Sequence, residues 1–395
     1  MNLSGSQKRR ILLLYISKVS GHRQATIAIQ RALRKLDPNV EAPSINGFGY
    51  TYPFLEKVVN SAYMAVIRRA PHIWDSMYDN PKLVKRSQFI QNFLHKASHK
   101  KIAQLFKDYQ PDTVVCTQAF PCGMVADYKI SHSLDVTLVA VLTDFAPHSF
   151  WIHEGIDYYI VPAAELKDRF VKKGVPPDKI KVYGIPIRAK FAVQLDKNPI
   201  REKLGLRADL PTLLLMGGGQ GLGPIKEAVT SLLRVPTDLQ MIVIAGTNTE
   251  LLKWLQDTAR TSPKKLISYE YANNVDELME MATLIITKPG GMTTSEALAK
   301  GLPMAIINPL PGQEMRNTDF LLNKGIAIRI DGTEDIGEEI DLLLRSPERL
   351  SAMRRAASDH GKPHAASDVA SLILQNAEDS EDEGVEEEPS VVSEA

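Results

Sequence analysis

The sequence predicts a two-domain α/β protein built on parallel sheets, and three observations predict it. Short apolar runs of strand length recur along the chain, each ending in a turn rich in Gly, Pro, Ser, Asp or Thr that leads into a helical pattern. These runs form two series separated near Gly184-Ile185-Pro186-Ile187-Arg188. At 395 residues the chain is long enough for each series to bury a core of its own. Two Rossmann-like halves follow from this pattern.

The first series comprises Ile11–Ile16, Thr113–Cys116, Thr137–Leu142, Tyr158–Val161 and Ile180–Tyr183. Its first run follows Lys8, Arg9 and Arg10, the outline of a signal peptide, but it is too short and lacks a small-residue cleavage site. It reads as the first buried strand. Between strands one and two lies an insertion, roughly Asn46 to Tyr109, in which Tyr63, Trp74 and Phe89 stand among Arg68, Lys85 and Lys100. The second series is Thr212–Met216, Gln240–Ala245, Leu266–Tyr269, Leu284–Ile286, Met304–Ile307 and Ile326–Ile328. Residues 342–375 have helical spacing through Leu350, Met353 and Ala357, resuming after Pro363 at Val369 and Leu372. From Ala377 the chain is acidic and free of aromatics, and is expected to be disordered. The expected domains are therefore 1–186 and 187–345, then a helical segment 346–376 and an acidic tail 377–395.

Composition is that of an ordinary globular protein, 44% hydrophobic and 24% charged. No run approaches membrane-spanning length. Cys116 and Cys122, the only cysteines, lack the number and spacing for a structural metal site, which predicts a reduced, cytoplasmic protein. The formal charge is zero, but residues 377–395 hold nine acidic and no basic side chains, leaving +9 on the rest. Residues 1–110 carry 18 Lys or Arg against 6 Asp or Glu. Basic residues interleaved with aromatics and aliphatics point to an anionic membrane surface, to which the protein binds peripherally. No nucleic-acid module is visible, so nucleic acid is not an expected partner.

The chemistry concentrates at strand ends, the side of an open α/β sheet where ligands bind. Gly217-Gly218-Gly219-Gln220-Gly221 follows one strand and precedes a helix expected at Ile225–Leu233. Such a turn brings backbone amides and a helix N-terminus to an anion such as a diphosphate. It is not a P-loop, since no Gly-Lys-Ser or Gly-Lys-Thr follows. A second turn, Gly290-Gly291, opens a helix bearing Thr293 and Glu296. A carboxylate there accepts two hydrogen bonds from vicinal ribose hydroxyls, while Thr293 caps the helix or touches phosphate. Gln313 and Glu314 occupy the next turn, where an amide and a carboxylate suit hexose hydroxyls. In the first half, Ser17-Lys18-Val19-Ser20-Gly21-His22 ends the first strand. His22 has the ordinary basicity of a general base. Asp144 is the rival base, or the residue that orients His22.

Six phrases together carry a family likeness: TDFAPHSFWIHEGIDYYIV, VYGIPIRAKF, MGGGQGLGPI, YANNVDELM, ITKPGGMTTSEALAKGLP and PGQEMRN. The chain resembles the diacylglycerol glycosyltransferases, the family of plant monogalactosyldiacylglycerol synthases and bacterial processive diacylglycerol glucosyltransferases, over most of residues 11–330. The resemblance implies a GT-B fold, with a C-terminal helix crossing back to the first domain over an interdomain cleft. It implies inverting, metal-independent transfer of a hexose from a UDP-sugar substrate to diacylglycerol, with no cofactor. By position, Gly218, Gly219 and Gly221 would line the diphosphate, Tyr271 to Val275 would contact uracil, and Glu296 would hold the ribose. Gln313 and Glu314 would meet the hexose, and His22 would deprotonate the acceptor. The family's usual Gly-Gly-Gly-His run is replaced here by Val19-Ser20-Gly21-His22, which bears on the acceptor more than on the reaction. Three other readings stand beside this one: a transferase to a polyprenyl-linked acceptor, a UDP-sugar 2-epimerase of the same fold, and a non-catalytic lipid-surface protein. Glucose, galactose and N-acetylglucosamine donors differ by one or two hydroxyl contacts, so the hexose stays open.

Overall fold

The computed structural model describes residues 9–17, 20–51, 99–145 and 149–382. Most of the basic aromatic insertion (52–98), Lys18, Val19, residues 146–148 and residues 383–395 lie outside them. Two six-stranded sheets organise the chain. The first holds β1 Ile11–Tyr15, β2 Ser44–Asn46, β3 Thr113–Cys116, β4 Thr137–Val141, β5 Tyr158–Ile160 and β6 Ile180–Lys181, in the order β2-β1-β3-β4-β5-β6. The second holds β7 Thr212–Met216, β8 Gln240–Ile244, β9 Leu266–Tyr269, β10 Leu284–Thr287, β11 Met304–Ile307 and β12 Ala327–Ile330, in the order β12-β11-β10-β7-β8-β9. Among the described residues every pairing is parallel.

Parallel strands buried on both faces need apolar residues at every position rather than at alternate ones. Leu12 and Leu14 face one layer while Ile11 and Leu13 face another, and Leu214 and Leu215 divide in the same way. That is why these strands are legible as continuous runs. The sequence reading omits β2. It is an edge strand of Ser44, Ile45 and Asn46, all half-buried, so no apolar run marks it.

The C-terminal helical region is three helices rather than one. Ile336–Leu344, Pro347–His360 and Ala365–Asp382 are broken at Ser346-Pro347 and at Gly361-Lys362-Pro363. Proline fits a first helical turn but cannot continue a preceding one. The last helix lies on the first domain, burying Val369, Ala370 and Ile373 among Ile11, Leu13, Ile29 and Leu33. Arg9 Nη1 donates to the Leu374 carbonyl at 2.6 Å. The helix runs through Asp382, past Ala377, where the sequence places the end of order. Each added residue gains a backbone hydrogen bond at little further cost once a helix exists. Where the chain changes domain, Gly184 has φ +96, and a side chain there would overlap Lys362. Among the described residues, no helix is long and apolar enough to cross a membrane.

Candidate active site

The carboxyl ends of the two sheets face each other. β1, β3 and β4 are neighbours, so the segments leaving them converge. Ser20 is extended, and its Oγ accepts from Arg23 N at 3.3 Å while donating to the Ile16 carbonyl at 2.7 Å. This cap starts the helix Gly21–Leu36 and places His22 in its first turn. His22 Nδ1 lies 2.9 Å from the Thr117 carbonyl and 2.9 Å from Thr143 Oγ1. A carbonyl only accepts, so Nδ1 carries the proton and Nε2 presents its lone pair. Among the described residues no hydrogen bond to Nε2 is formed. Burial pushes the imidazole down to about 4, against the smaller upward pull of the Thr117 carbonyl. The ring is neutral at physiological pH.

Opposite lies a cavity open to solvent. Its wall brings together Gly218 and Gly219 after β7, Tyr271 and Val275 after β9, and Glu296 on the helix Gly291–Ala299. Gln24, two residues after His22, completes it with Arg188 and Lys190. Arg188 Nη2 donates to Gln24 Oε1 at 2.9 Å, joining the domains at the cavity. Lys190 Nζ donates to Asp276 Oδ1 and to the Asn273 carbonyl, both at 2.5 Å, pinning the segment that holds Tyr271. Burial raises the Glu296 carboxyl to about 7, with Arg188 and Lys190 opposing and Asp276 adding to the rise.

The glycines divide into two kinds. A Cβ added to Gly218, Gly219 or Gly290 meets nothing within 4 Å, so these positions are open to a ligand. Gly221 does not line the cavity. It has φ +59, a side chain there would overlap the Ala245 carbonyl, and its amide donates to Gly218 O at 3.1 Å. Its role is to shape the turn. Gly291 lies against the Thr143 carbonyl across the cleft, with no room for a Cβ. Gly290 caps the helix Gly291–Ala299 without a side-chain bond, and Thr293, half-buried in its first turn, does not act as the cap.

Gln313, Glu314 and Asp144 meet at the domain interface. Gln313 Nε2 donates to Asp144 Oδ2. Glu314 pairs with Lys288 Nζ at 3.1 Å and accepts from Leu310 N at 2.8 Å. Asn317 Oδ1 accepts from Phe145 N at 3.0 Å, its Nδ2 donates to the Pro289 carbonyl at 2.9 Å, and Phe145 stacks on Phe320 at 4.7 Å. Asp144 therefore does not orient His22, because Thr117 and Thr143 occupy Nδ1. Burial, aided by Glu314, raises Asp144 to about 7 against bonds from Asn317 and Gln313.

Two carboxyls raised to about 7 have a consequence for stability. Between an unfolded value of roughly 4 and the folded value, the folded chain keeps protons that the unfolded chain has released. Stability from this source is present at the acid end and is lost as pH rises through 7. The urea midpoint of the unliganded protein should therefore be lower at pH 8 than at pH 5.5, and Asp144→Asn with Glu296→Gln should shrink the difference. An unchanged difference in that double variant would assign the pH dependence to other groups.

The sequence reading does not assign roles to Gln24, Thr117, Thr143, Arg188, Lys190 or Asn317. Thr143, Arg188, Lys190 and Asn317 stand inside the phrases that carry the family likeness, which is their only signal. Gln24 and Thr117 have none. Among the described residues, no group of three or more His, Cys, Asp or Glu could hold a metal ion.

A family model described as monogalactosyldiacylglycerol (MGDG) synthase matches residues 22–187. One described as the glycosyltransferase family 28 C-terminal domain matches residues 212–369. The chain is 31% identical to a processive diacylglycerol beta-glucosyltransferase of Bacillus licheniformis, over 94% of this chain and 96% of that protein. It is 29% identical to the Bacillus subtilis protein of the same name, with the same coverage. Among solved structures, Acinetobacter baumannii MurG aligns with a TM-score of 0.63 at 14% identity, over 93% of this chain and 99% of that one. UDP-GlcNAc 2-epimerase from Neisseria meningitidis, bound to UDP-GlcNAc, aligns with a TM-score of 0.59 at 15% identity, over 93% and 100%. These two structural likenesses carry the fold alone, which is GT-B.

Proposed function

The chain belongs to the diacylglycerol glycosyltransferase family, and from that premise we propose that it moves a hexose from a UDP-sugar to the hydroxyl of diacylglycerol at a membrane surface, with inversion and without a metal. The observation that carries this reading is the shared wall. One helix, Gly21–Leu36, supplies both the neutral His22 and, two residues on, Gln24 in the lining of the cavity, and Gly21 beside His22 lies against Met292 of the same lining. In this reading an acceptor hydroxyl held at His22 meets the anomeric carbon of a donor where that helix borders the cavity.

In this reading uracil lies against Tyr271 to Val275, Glu296 takes the ribose hydroxyls, and the diphosphate lies along Gly218, Gly219, Gly290 and Gly291. Thr293, in the first turn of the same helix, is within the diphosphate's surroundings. Gln313 and Glu314 reach the hexose by exchanging Asp144 and Lys288 for sugar hydroxyls. His22 Nε2 takes the acceptor proton as the new C–O bond forms and the C–O bond to UDP breaks. Negative charge growing on UDP is met by loop amides, a helix N-terminus and the cationic Arg188 and Lys190. These groups supply the charge stabilisation that a metal supplies elsewhere, and no cofactor takes part. The basic N-terminal region, with 18 Lys or Arg in residues 1–110, supports peripheral binding to an anionic leaflet.

The test is transfer from radiolabelled UDP-glucose and UDP-galactose to diacylglycerol in anionic liposomes, with and without EDTA. A labelled glycolipid at an EDTA-independent rate is expected. UDP binding without a lipid product would overturn the acceptor assignment in favour of a polyprenyl-linked acceptor or epimerase chemistry.

A further inference from the structure

We propose that Thr143 is a positioning residue for the transfer: its hydroxyl fixes the plane of the His22 imidazole, and its main chain registers that ring against the donor-side helix. The proposal rests on the reading of His22 as the base.

One hydrogen bond leaves a ring free to turn about that bond. His22 Nδ1 has two acceptors from different strand ends, the Thr117 carbonyl after β3 and Thr143 Oγ1 after β4, each at 2.9 Å. Together they define an orientation and hold the proton on Nδ1. The Thr117 hydroxyl is otherwise engaged, lying 3.0 Å from Thr26 Oγ1 and 3.1 Å from the His22 carbonyl, so it anchors the helix backbone rather than the ring. Thr143 is 5% exposed, so water does not compete for its hydroxyl.

The other side of Thr143 faces the donor domain. Its carbonyl lies where a Cβ on Gly291 would be, at the opening of the helix that carries Glu296. The next two residues continue the seam, Asp144 to Gln313 and Phe145 N to Asn317, whose amide holds the Pro289 carbonyl in the turn before that helix. Residues 143–145 thus hold the base on one side and the leading turn of the donor helix on the other. A displacement of the donor helix reaches the ring through residue 143 as well as through the helix Gly21–Leu36, against which Met292 packs.

The experiment is a double-mutant cycle of Thr143→Val with His22→Ala, reading kcat, donor KM and UDP affinity separately. Thr143→Val should lower kcat about tenfold or more, the scale of a slightly misplaced reacting group. Donor KM and UDP affinity should stay within about twofold, because no donor contact is removed. Thr143→Ser, which keeps the hydroxyl, should restore most of the turnover. On the His22→Ala background, Thr143→Val should add nothing. Thr143→Ala adds no bulk and repeats the test should the valine variant fail to fold. Full kcat in the variants lacking the hydroxyl, or the same fold-loss on both backgrounds, would overturn the proposal. If His22→Ala itself keeps wild-type turnover, the base assignment falls and the proposal with it.

Discussion

Replacing His22 with alanine should lower kcat by roughly 10²- to 10⁴-fold, the range for loss of a positioned general base, while UDP binds as before. Donor affinity is expected to survive because the ring contacts Thr117 and Thr143 and does not line the donor cavity. The pH profile gives a second readout. With the imidazole held at about 4, its protonation does not produce a limb near pH 6.5. A base of such low proton affinity takes the proton late, once bond formation to the anomeric carbon has made the acceptor hydroxyl acidic. His22→Gln is the companion variant, since it keeps a polar side chain without a basic nitrogen. Stopped assays of glycolipid formation, alongside UDP titration calorimetry, check the prediction. Near-normal turnover in a folded alanine variant would sink it.

Glu296→Ala should reduce kcat/KM for the UDP-sugar by on the order of 10²- to 10⁴-fold, since each hydrogen bond to a charged group contributes about 1.5–3 kcal/mol and two are lost. The loss should fall mostly on KM, because the ribose is held equally in the ground and transition states. Its pH dependence has a definite sign. Accepting two hydroxyl protons requires the carboxylate, yet the unliganded carboxyl stands at about 7. Donor binding should therefore weaken as pH falls through 7, approaching tenfold per pH unit below it. Glu296→Gln should bind weakly and without that slope, whereas Asp144→Asn, which removes the other group at about 7, should retain it. UDP titrations from pH 5.5 to 8.5 decide the matter. A slope that survives in Glu296→Gln would mean that another group governs donor binding.

Much of the fold is legible because parallel strands buried on both faces are written as unbroken apolar runs, as at Leu213-Leu214-Leu215. The turns that follow are equally local. Gly218 and Gly290 are open to a ligand, and Tyr271, Val275 and Glu296 share one wall with Gly218 and Gly219. Where the signal is weak the reading fails, as at the half-polar edge strand β2. Glycine spacing alone also does not separate Gly219, which faces the cavity, from Gly221, which packs beneath the Ala245 carbonyl.

By itself, then, the sequence determined two parallel sheets, the glycine turns at their carboxyl ends and the residue types suited to a nucleotide-sugar. Each is a local pattern, set by strand burial and by the conformations that glycine permits. Only the tertiary structure decided that His22 holds its proton on Nδ1, that Asp144 bonds Gln313, and that Glu314 pairs with Lys288. Those outcomes depend on β1, β3 and β4 lying side by side and on the two domains closing against each other. Strand order and domain contact join residues far apart in the chain, and spacing along the chain does not encode them.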